Sequence, residues 1–414
     1  MAAILYHRVV GDLTVGKPKL KEFPQSASVR EALETLLERN EFELPVWKMS
    51  RRQSMERYGS SSEKYERPQA KEERFIGMLS ILDILGHLST EQSLLDPIWA
   101  LNVPVSDVVT SNPGLLRHAA PGTRLIDVME LIKSGTSQLL VPLSSGFQKV
   151  SKRFSAYHNS SHWLPAASDF EVVVPKPEKP YGYCILTVED VARFLLGCLG
   201  ALAPFPLKKI DSQGIINTSP PMIFGSDPAR LGLKIREEAP DSIQAVAVVE
   251  NFEDGNGICK PILIGEISAI KLRNSGLRVA FALATLSAKD FVGYVEHFGD
   301  SKQSSGAGKF WSEGISFSLV NYQMQHRGKG DFPNVPSRIM PLTCRPSNSV
   351  AAVMAQMLAY RTTHVWVTDE IGALLGMVTF KDIISAISTI STTVEQLVSS
   401  MMSSPDLLEV YGYV

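Results

Sequence analysis

Three segments of this 414-residue chain place a carboxylate three residues after a hydroxyl side chain. In each segment a short apolar run ends at the hydroxyl and a helical pattern follows: Ser80 with Asp83, Thr187 with Asp190, and Thr379 with Asp382. A hydroxyl at the end of a strand lies close to a carboxylate one turn into the next helix, and the start of a helix exposes backbone N–H donors. The spacing suits a polar or anionic ligand. It equally suits an ordinary helix N-cap, so both interpretations stay open.

A fourth segment keeps the hydroxyl and loses the acid. IGEISAIKL, residues 264–272, retains Ser268, but Lys271 stands where the other three segments have aspartate. An ammonium group donates hydrogen bonds and accepts none. This segment therefore lacks the acceptor that the other three share.

The elements that precede these endings also recur, and such self-similarity defines the fold. Apolar residues at helical spacing mark a short amphipathic helix in three copies: Val29, Ala32, Leu33 and Leu36; Leu125, Val128, Met129 and Ile132; Val350, Val353, Met354 and Met357. Ser28 and Glu31 form a predicted capping box that starts the first helix. Short apolar runs, PVW, LLVPL and HVWVTD, follow as buried strands. A further copy, third in chain order, keeps the apolar run AVAVV at 245–249 but has no clear helical pattern. We therefore predict four β-α-β-β-α units, one of them eroded.

Composition narrows the function classes. The net charge of -2 gives no general attraction to nucleic acid or to an anionic membrane. The 4 cysteines are scattered, which predicts neither a metal site nor a disulfide framework. No secretory signal is recognisable, and the longest apolar run, 194–205, is shorter than the roughly 20 residues of a membrane span. We therefore expect a cytoplasmic or nuclear protein.

The repeat resembles the CBS motif, a family in which two motifs pair into one Bateman module. The segments VVGDLTVGKP, PGTRLID and GALAP are similar to the plant CBSX group, and the modules resemble those of the gamma subunit of AMP-activated kinase. The resemblance implies an α+β fold with four CBS motifs paired as two tandem Bateman modules. It covers nearly the whole chain apart from its insertions.

The resemblance also implies a nucleotide site. In the family the aspartate accepts hydrogen bonds from the ribose hydroxyls, and apolar strand edges sandwich the adenine. Carried over to this chain, these roles fall to Asp83, Asp190 and Asp382, with Ser80, Thr187 and Thr379 as their partners. Lys271 implies weak binding, or none, at the third motif.

Basic residues before the second strand neutralise phosphate in nucleotide-binding relatives. The matching positions hold Leu44 in the first motif and Gln138 in the second, and neither is charged. The fourth motif offers Arg361 and His364, which favours this site for a charged nucleotide. The alternative for His364 is a half-buried histidine satisfied beside Trp366.

The domain boundaries follow from the repeat. They are motif 1 at 8–90 with an insertion at 50–73, motif 2 at 100–200 with an insertion at 144–180, degenerate motif 3 at 207–298, a flexible linker at 300–337, motif 4 at 338–392 and a C-terminal tail at 393–414. Both insertions are polar and are predicted to be mobile loops. Each contains two basic residues followed by a serine, which makes Ser54 and Ser155 candidate phosphorylation sites.

Two functional hypotheses remain. No familiar catalytic motif is present, and the repeats occupy the chain, so we predict a non-enzymatic protein with no required cofactor. In the first hypothesis it senses AMP, ADP or ATP, or a related adenosyl ligand, and modulates a partner protein such as a kinase complex. In the second it is an interaction scaffold or kinase gamma-like adaptor with decayed nucleotide sites. Four motifs in one chain favour a monomer that forms an intramolecular disc, and a homodimer is the alternative.

Overall fold

Each predicted repeat unit contains its own three-stranded sheet in the computed structural model. The described residues are 2–39, 41–49, 68–143, 182–238, 245–253, 257, 259–273, 275–298 and 340–402. Candidate residues Ser54 and Ser155, the linker at 300–337 and the insertion at 144–180 lie outside them. The alternating strands and helices confirm the predicted α+β class.

Two short helices open the chain and lead into the first motif. They are α1 (Ala2–His7) and α2 (Val10–Leu13). The elements of motif 1 are β1 (Phe23–Pro24), α3 (Val29–Arg39), β2 (Glu43–Trp47), α4 (Pro68–Arg74), β3 (Phe75–Ser80) and α5 (Ile81–Leu88). Two helices then connect to the second motif: α6 (Glu91–Leu95) and α7 (Pro97–Asn102).

The remaining motifs repeat the same order. Motif 2 contains β4 (Leu116–His118), α8 (Leu125–Lys133), β5 (Gln138–Leu143), β6 (Gly182–Thr187) and α9 (Val188–Gly197). Motif 3 contains β7 (Met222–Phe224), α10 (Ala229–Glu238), β8 (Ala245–Glu253), β9 (Cys259–Ser268) and α11 (Ala269–Leu272), followed by α12 (Leu277–Thr285) and α13 (Ala288–Phe298). Motif 4 contains β10 (Thr343–Cys344), α14 (Val350–Tyr360), β11 (His364–Thr368), β12 (Leu374–Thr379) and α15 (Phe380–Met402).

All four sheets share one topology. The first strand of each motif pairs in parallel with the second, and the second pairs antiparallel with the third. A parallel pair needs a crossover, which the amphipathic helix supplies, whereas the antiparallel pair needs only a loop. The predicted capping box begins α3: Ser28 N donates to Glu31 Oε2 (2.8 Å), and Glu31 N donates to Ser28 Oγ (3.2 Å).

The structure differs from the sequence-based interpretation at three places. Motif 3 has a crossover helix, α10, although the helical pattern of its sequence is weak. The pattern is weak because few residues of this helix are buried, among them Ala229, Gly232 and Leu233. The end of the first predicted insertion is the helix α4, where Lys71 (2.5 Å) and Arg74 (3.0 Å) donate hydrogen bonds to Glu22. Helix α15 continues to Met402, beyond the expected end of motif 4 at 392.

The sheets pack face to face within each tandem pair. Trp47 and Phe75 of motif 1 share a buried cluster with Leu116, Leu140 and Tyr183 of motif 2. In the second pair Ala247 and Val249 of motif 3 pack against Trp366, Leu374 and Met377 of motif 4. Motifs 1 and 2 therefore form one module, and motifs 3 and 4 form the other.

Helices join the two modules. One core contains α5 of motif 1 together with α10 and α12 of motif 3, and a Cβ added at Gly86 of α5 would lie 3.4 Å from Leu233 Cδ1 of α10. A second core contains α8 and α9 of motif 2 together with α14 and α15 of motif 4. Each fully buried leucine or isoleucine in these cores contributes about 1.5–3 kcal/mol. The modules are thus in contact through two apolar cores, and all four motif endings lie within one assembly.

Candidate functional site

The three hydroxyl–carboxylate endings share one capped geometry. In motif 1, Asp83 Oδ2 accepts hydrogen bonds from Ser80 N (2.7 Å) and Ser80 Oγ (2.8 Å), and Asp83 N donates to Ser80 Oγ (3.2 Å). The N-cap interpretation is therefore correct as a description of local structure. The ligand interpretation then depends on what else approaches each carboxylate.

Motifs 2 and 4 reproduce this cap closely. Asp190 Oδ2 accepts from Thr187 N (2.8 Å) and Thr187 Oγ1 (2.9 Å). Asp382 Oδ2 accepts from Thr379 N (2.8 Å) and Thr379 Oγ1 (2.6 Å). Because one carboxylate oxygen serves the cap in each case, the side chain is held in a fixed orientation.

Motif 3 satisfies its hydroxyl with a different acid. Ser268 Oγ donates to Glu266 Oε1 (2.9 Å), and Lys271 Nζ lies 3.8 Å from the same oxygen. Glu266 occupies the position two residues before the hydroxyl, where motifs 1, 2 and 4 have Met78, Ile185 and Met377. The third motif therefore replaces the missing aspartate with a buried glutamate on the preceding strand.

Strand register identifies equivalent positions opposite these hydroxyls. The first residue of the second strand pairs with the hydroxyl residue, and the four such positions hold Glu43, Gln138, Ala245 and His364. The match of Leu44 to Gln138 was therefore wrong by one residue, and Leu44 is fully buried in the core. A one-residue slip along a strand moves a side chain to the opposite face of the sheet. Glu43 is the residue that faces the site in motif 1.

Glu43 and Gln138 meet where motifs 1 and 2 adjoin. Gln138 Nε2 donates to Glu43 Oε1 (3.1 Å). Burial, and then repulsion from Asp83 and Glu41, raises the pKa of the Glu43 carboxyl to about 7, against the lowering effect of the Gln138 hydrogen bond. This acid makes the first site unfavourable for phosphate.

A cavity of about 1240 Å³ has lining residues from all four motifs and is reached by the endings of motifs 1, 2 and 4, although Ser80 and Asp190 are not among its lining residues. Ten lysine and arginine side chains and six aspartate and glutamate side chains contribute to its wall. Of the predicted site residues, Asp83, Thr187, Thr379, Asp382, Arg361 and His364 line it. The excess of basic side chains makes the cavity suitable for an anionic ligand.

Arg361 enters this cavity at a conformational cost. It ends α14 in the left-handed region (φ 54°) and is the one non-glycine residue with positive φ among the described residues. The equivalent position in motif 2, three residues before the second strand, is Gly135 (φ 111°). Glycine adopts positive φ without strain, whereas other residues pay about 1 kcal/mol or more. The arginine at this position brings a guanidinium group to the cavity wall.

His364 is buried and contacts Glu266 of motif 3. It is 4% exposed, and its Nε2 lies 3.1 Å from Glu266 Oε2. Its ring lies edge-on to Trp366, with 5.2 Å between centroids. The interpretation of His364 as a satisfied histidine beside Trp366 fits this geometry, although the dominant partner is Glu266.

Two cations that the sequence did not suggest approach the endings of motifs 1 and 2. Arg236 of α10 donates to Ser80 Oγ (3.1 Å) and forms an ion pair with Asp83. Lys17 Nζ lies 2.5 Å from Asp190 Oδ2. Both come from distant parts of the chain, 153 and 173 residues from their aspartates, so local spacing carries no signal for them.

Within the described ranges no group of three or more histidine, cysteine, aspartate or glutamate side chains could hold a metal ion. No helix there has both the length and the apolar character needed to cross a membrane.

The chain is similar in sequence to known proteins over most of its length. The family model of the CBS domain matches residues 335–389. CBS domain-containing protein CBSX6 of Arabidopsis thaliana is 37% identical, covering 94% of this chain and 95% of its own length. The SNF1-related protein kinase regulatory subunit gamma-like PV42b of the same plant is 24% identical, covering 91% and 94%. Protein MJ1225 of Methanocaldococcus jannaschii, a relative of g-AMPK, aligns in structure with a TM-score of 0.49 and 12% identity, covering 91% of this chain and 99% of that one.

The fold and its capped endings define a class, the proteins of paired CBS motifs. At this level of identity and coverage, the chain belongs to the family of CBS domain-containing proteins of the plant CBSX type.

Proposed function

We propose that this chain is a non-catalytic regulatory protein whose fourth motif binds an adenine nucleotide, AMP, ADP or ATP, and reports its presence to a partner protein. The observation that supports this most is the meeting of Thr379, Asp382 and Arg361 at the wall of one basic cavity. These residues combine an oriented carboxylate with a guanidinium group. Such a pair can accept ribose hydroxyls on one side and neutralise phosphate on the other.

The rest of the ligand has complementary neighbours. Met377 and Asn217 line the cavity beside Thr379, and their backbones pair through Asn217 N donating to Met377 O (2.8 Å). The paired backbones of this strand edge supply a surface on which the adenine ring can lie, while the Met377 side chain itself is buried between motifs 3 and 4. Phosphate would extend towards the shared basic region, where side chains of other motifs also face it. Binding at motif 4 can therefore be transmitted to the other motifs.

The proposed partner is a protein, and a kinase complex is the first candidate. The similarity to a kinase regulatory subunit gamma-like protein over most of both chains supports this choice. We also propose that the chain acts as a monomer whose two modules complete an internal disc, since helices of both modules already share two apolar cores. A homodimer is the alternative that sedimentation would reveal.

A scaffold with decayed nucleotide sites is the second candidate function. The ion pairs of Asp83 with Arg236 and of Asp190 with Lys17 favour it, because they engage two of the three family carboxylates. The two functions differ in one measurable respect. A sensor changes its partner affinity with nucleotide concentration, whereas a scaffold does not.

Calorimetric titration with AMP, ADP and ATP tests the sensor. We expect one of them to bind the native chain and Asp382→Ala to lose that binding. The matched control is Asp290→Ala, because Ser287 and Asp290 form the same kind of cap (2.8 and 3.2 Å) at an exposed helix start that does not line the cavity. Each substitution costs about 1 kcal/mol of cap stability, so only the ligand effect should differ.

Thermal melts give a second reading of the same test. A ligand at a hundredfold excess over its Kd stabilises the native state by about 2.7 kcal/mol. An absence of binding by all three nucleotides, in a chain that melts cooperatively, would leave the scaffold as the better function.

A further inference from the structure

The guanidinium group of Arg236 contacts both side chains of the motif 1 ending, Ser80 and Asp83. Its guanidinium donates to Ser80 Oγ (3.1 Å) and pairs with Asp83 Oδ1. The side chains of Arg236 and Asp83 are only 9% and 10% exposed. Asp83 Oδ2 already serves the helix cap, so Arg236 takes the other carboxylate oxygen.

Lys17 pairs with the motif 2 aspartate, on the same carboxylate oxygen that accepts the cap hydrogen bonds from Thr187. Its ammonium group lies 2.5 Å from Asp190 Oδ2, and Arg193 NH1 lies 3.7 Å from Asp190 Oδ1. Lys17 lies in the segment between α2 and β1 of motif 1, and that segment contacts β6 through Leu20 N, which donates to Tyr183 O (2.7 Å). The cation is therefore positioned by backbone pairing and not by its side chain alone.

We propose that Arg236 and Lys17 are internal occupants that keep adenosyl ligands out of the motif 1 and motif 2 endings. This inference adds selectivity among sites to the proposed function and rests on the family role of the carboxylates given there. A ribose diol and a guanidinium both present two donors to the same acceptors, so only one of them can be bound at a time. At motif 1 a ligand would have to displace a nearly buried cation from a nearly buried carboxylate, and that separation is unfavourable. At motif 2 the carboxylate is equally buried, but Lys17 is partly exposed.

The chemistry around Asp83 also selects the ligand that removal of Arg236 would admit. Glu43 lies at the same end of the sheet, paired across the strands with Ser80, and two acids repel phosphate. Without Arg236 the first site should therefore take an uncharged adenosyl ligand in preference to a nucleotide. Adenosine is the suitable probe, with AMP for comparison.

Arg236→Gln in an Asp382→Ala background tests this directly, because the fourth motif is then silent. We expect Asp382→Ala alone to bind adenosine weakly, and the double variant to bind one adenosine per chain at least tenfold more tightly. Adding Asp83→Asn should abolish the gain. A double variant that melts cooperatively and binds adenosine no better than Asp382→Ala would overturn the inference for motif 1.

Lys17→Gln provides a second, independent arm if the Arg236 variant does not fold. Lys17 is 26% exposed, so its loss disturbs the interior less. We expect Lys17→Gln to gain adenosine binding at least tenfold and Lys17→Gln with Asp190→Asn to lose it. No gain in a folded Lys17 variant would overturn the inference for motif 2. If the native chain binds no nucleotide while these variants gain adenosine, the proposed function fails and the internal occupants remain supported.

Discussion

His364 and Glu266 form a buried contact that joins motif 4 to motif 3. His364 Nε2 lies 3.1 Å from Glu266 Oε2, and Trp366 Nε1 donates to the same oxygen. The other oxygen, Oε1, accepts from Ser268 Oγ (2.9 Å). One carboxylate on β9 therefore connects β11 of motif 4 with the N-cap of α11 in motif 3.

This contact predicts acid sensitivity. Burial raises the pKa of Glu266, but the charge and hydrogen bond of His364, with Lys271 and Trp366, outweigh it and lower the pKa to about 2. A lowered folded-state pKa gives stability that is present above pH 4.5 and lost as the pH falls towards 2. We expect this group to contribute about 3 kcal/mol at neutral pH. Urea unfolding from pH 7 to pH 2 measures it.

The matched comparison for that experiment is between two glutamine variants. Glu266→Gln should be less stable than the native chain at pH 7 and nearly equal at pH 2. Glu250→Gln removes an exposed glutamate that pairs with Lys289 (2.8 Å) and should change stability by less than about 1 kcal/mol. Parallel pH profiles for native chain and Glu266→Gln would contradict the prediction.

Glu43 predicts the opposite pH dependence. Its pKa is raised to about 7, so the stability linked to its protonation is fully present below pH 4.5 and is lost as the pH rises through 7. Glu43→Gln keeps an acceptor for Gln138 and removes the charge. We expect this variant to be more stable than the native chain by about 3 kcal/mol at pH 8, and equal to it at pH 4. Chemical unfolding at the two pH values tests this prediction. Equal stabilities of the two proteins at pH 8 would show that burial does not destabilise the ionised carboxylate.

Arg361 predicts opposite effects on stability and binding. Arg361→Gly relieves the positive φ of 54° and should stabilise the fold by about 1 kcal/mol. The same change removes a guanidinium from the cavity wall and should weaken AMP binding about tenfold, or about 1.4 kcal/mol. Thermal melts and calorimetry measure the two effects separately. Gly135→Ala, at the equivalent position of motif 2, should lower the free energy of unfolding by about 1 kcal/mol. An Arg361→Gly variant less stable than the native chain would contradict the prediction that the positive φ is strained.

Gly77 in β3 and Gly376 in β12 each allow a neighbouring backbone segment to lie close against the third strand of their motif. A Cβ at Gly77 would lie 2.4 Å from Thr110 O, and one at Gly376 would lie 2.5 Å from Asn217 O. Gly376→Ala should therefore separate the 217 segment from β12, reduce stability by about 1–3 kcal/mol and weaken nucleotide binding. Gly197→Ala, which would meet no atom within 4 Å at the end of α9, is the control. Unchanged melting of Gly376→Ala would show that the segment can move aside without loss.

The sequence by itself determined the repeat, the fold class and the hydroxyl–carboxylate endings. Helical and strand periodicity reflect burial of one face, and capping depends on residues three apart, so both are local properties. Ser28 with Glu31, and Thr379 with Asp382, were recognisable for this reason. The pattern of motif 3 was weak because the buried face of α10 combines only one large side chain, Leu233, with the small Ala229 and Gly232, which contribute little to hydrophobic periodicity. The domain boundaries, the phosphorylation candidates and the nucleotide roles remain predictions.

Only the tertiary structure decided what surrounds each carboxylate. Arg236 reaches Asp83 from another motif, Lys17 reaches Asp190 from the start of the chain, and Glu266 meets His364 across the interface of motifs 3 and 4. Such contacts depend on how modules pack, which spacing along the chain does not encode. Strand register likewise placed Glu43, and not Leu44, opposite Ser80, because a shift of one residue reverses the face on which a side chain lies.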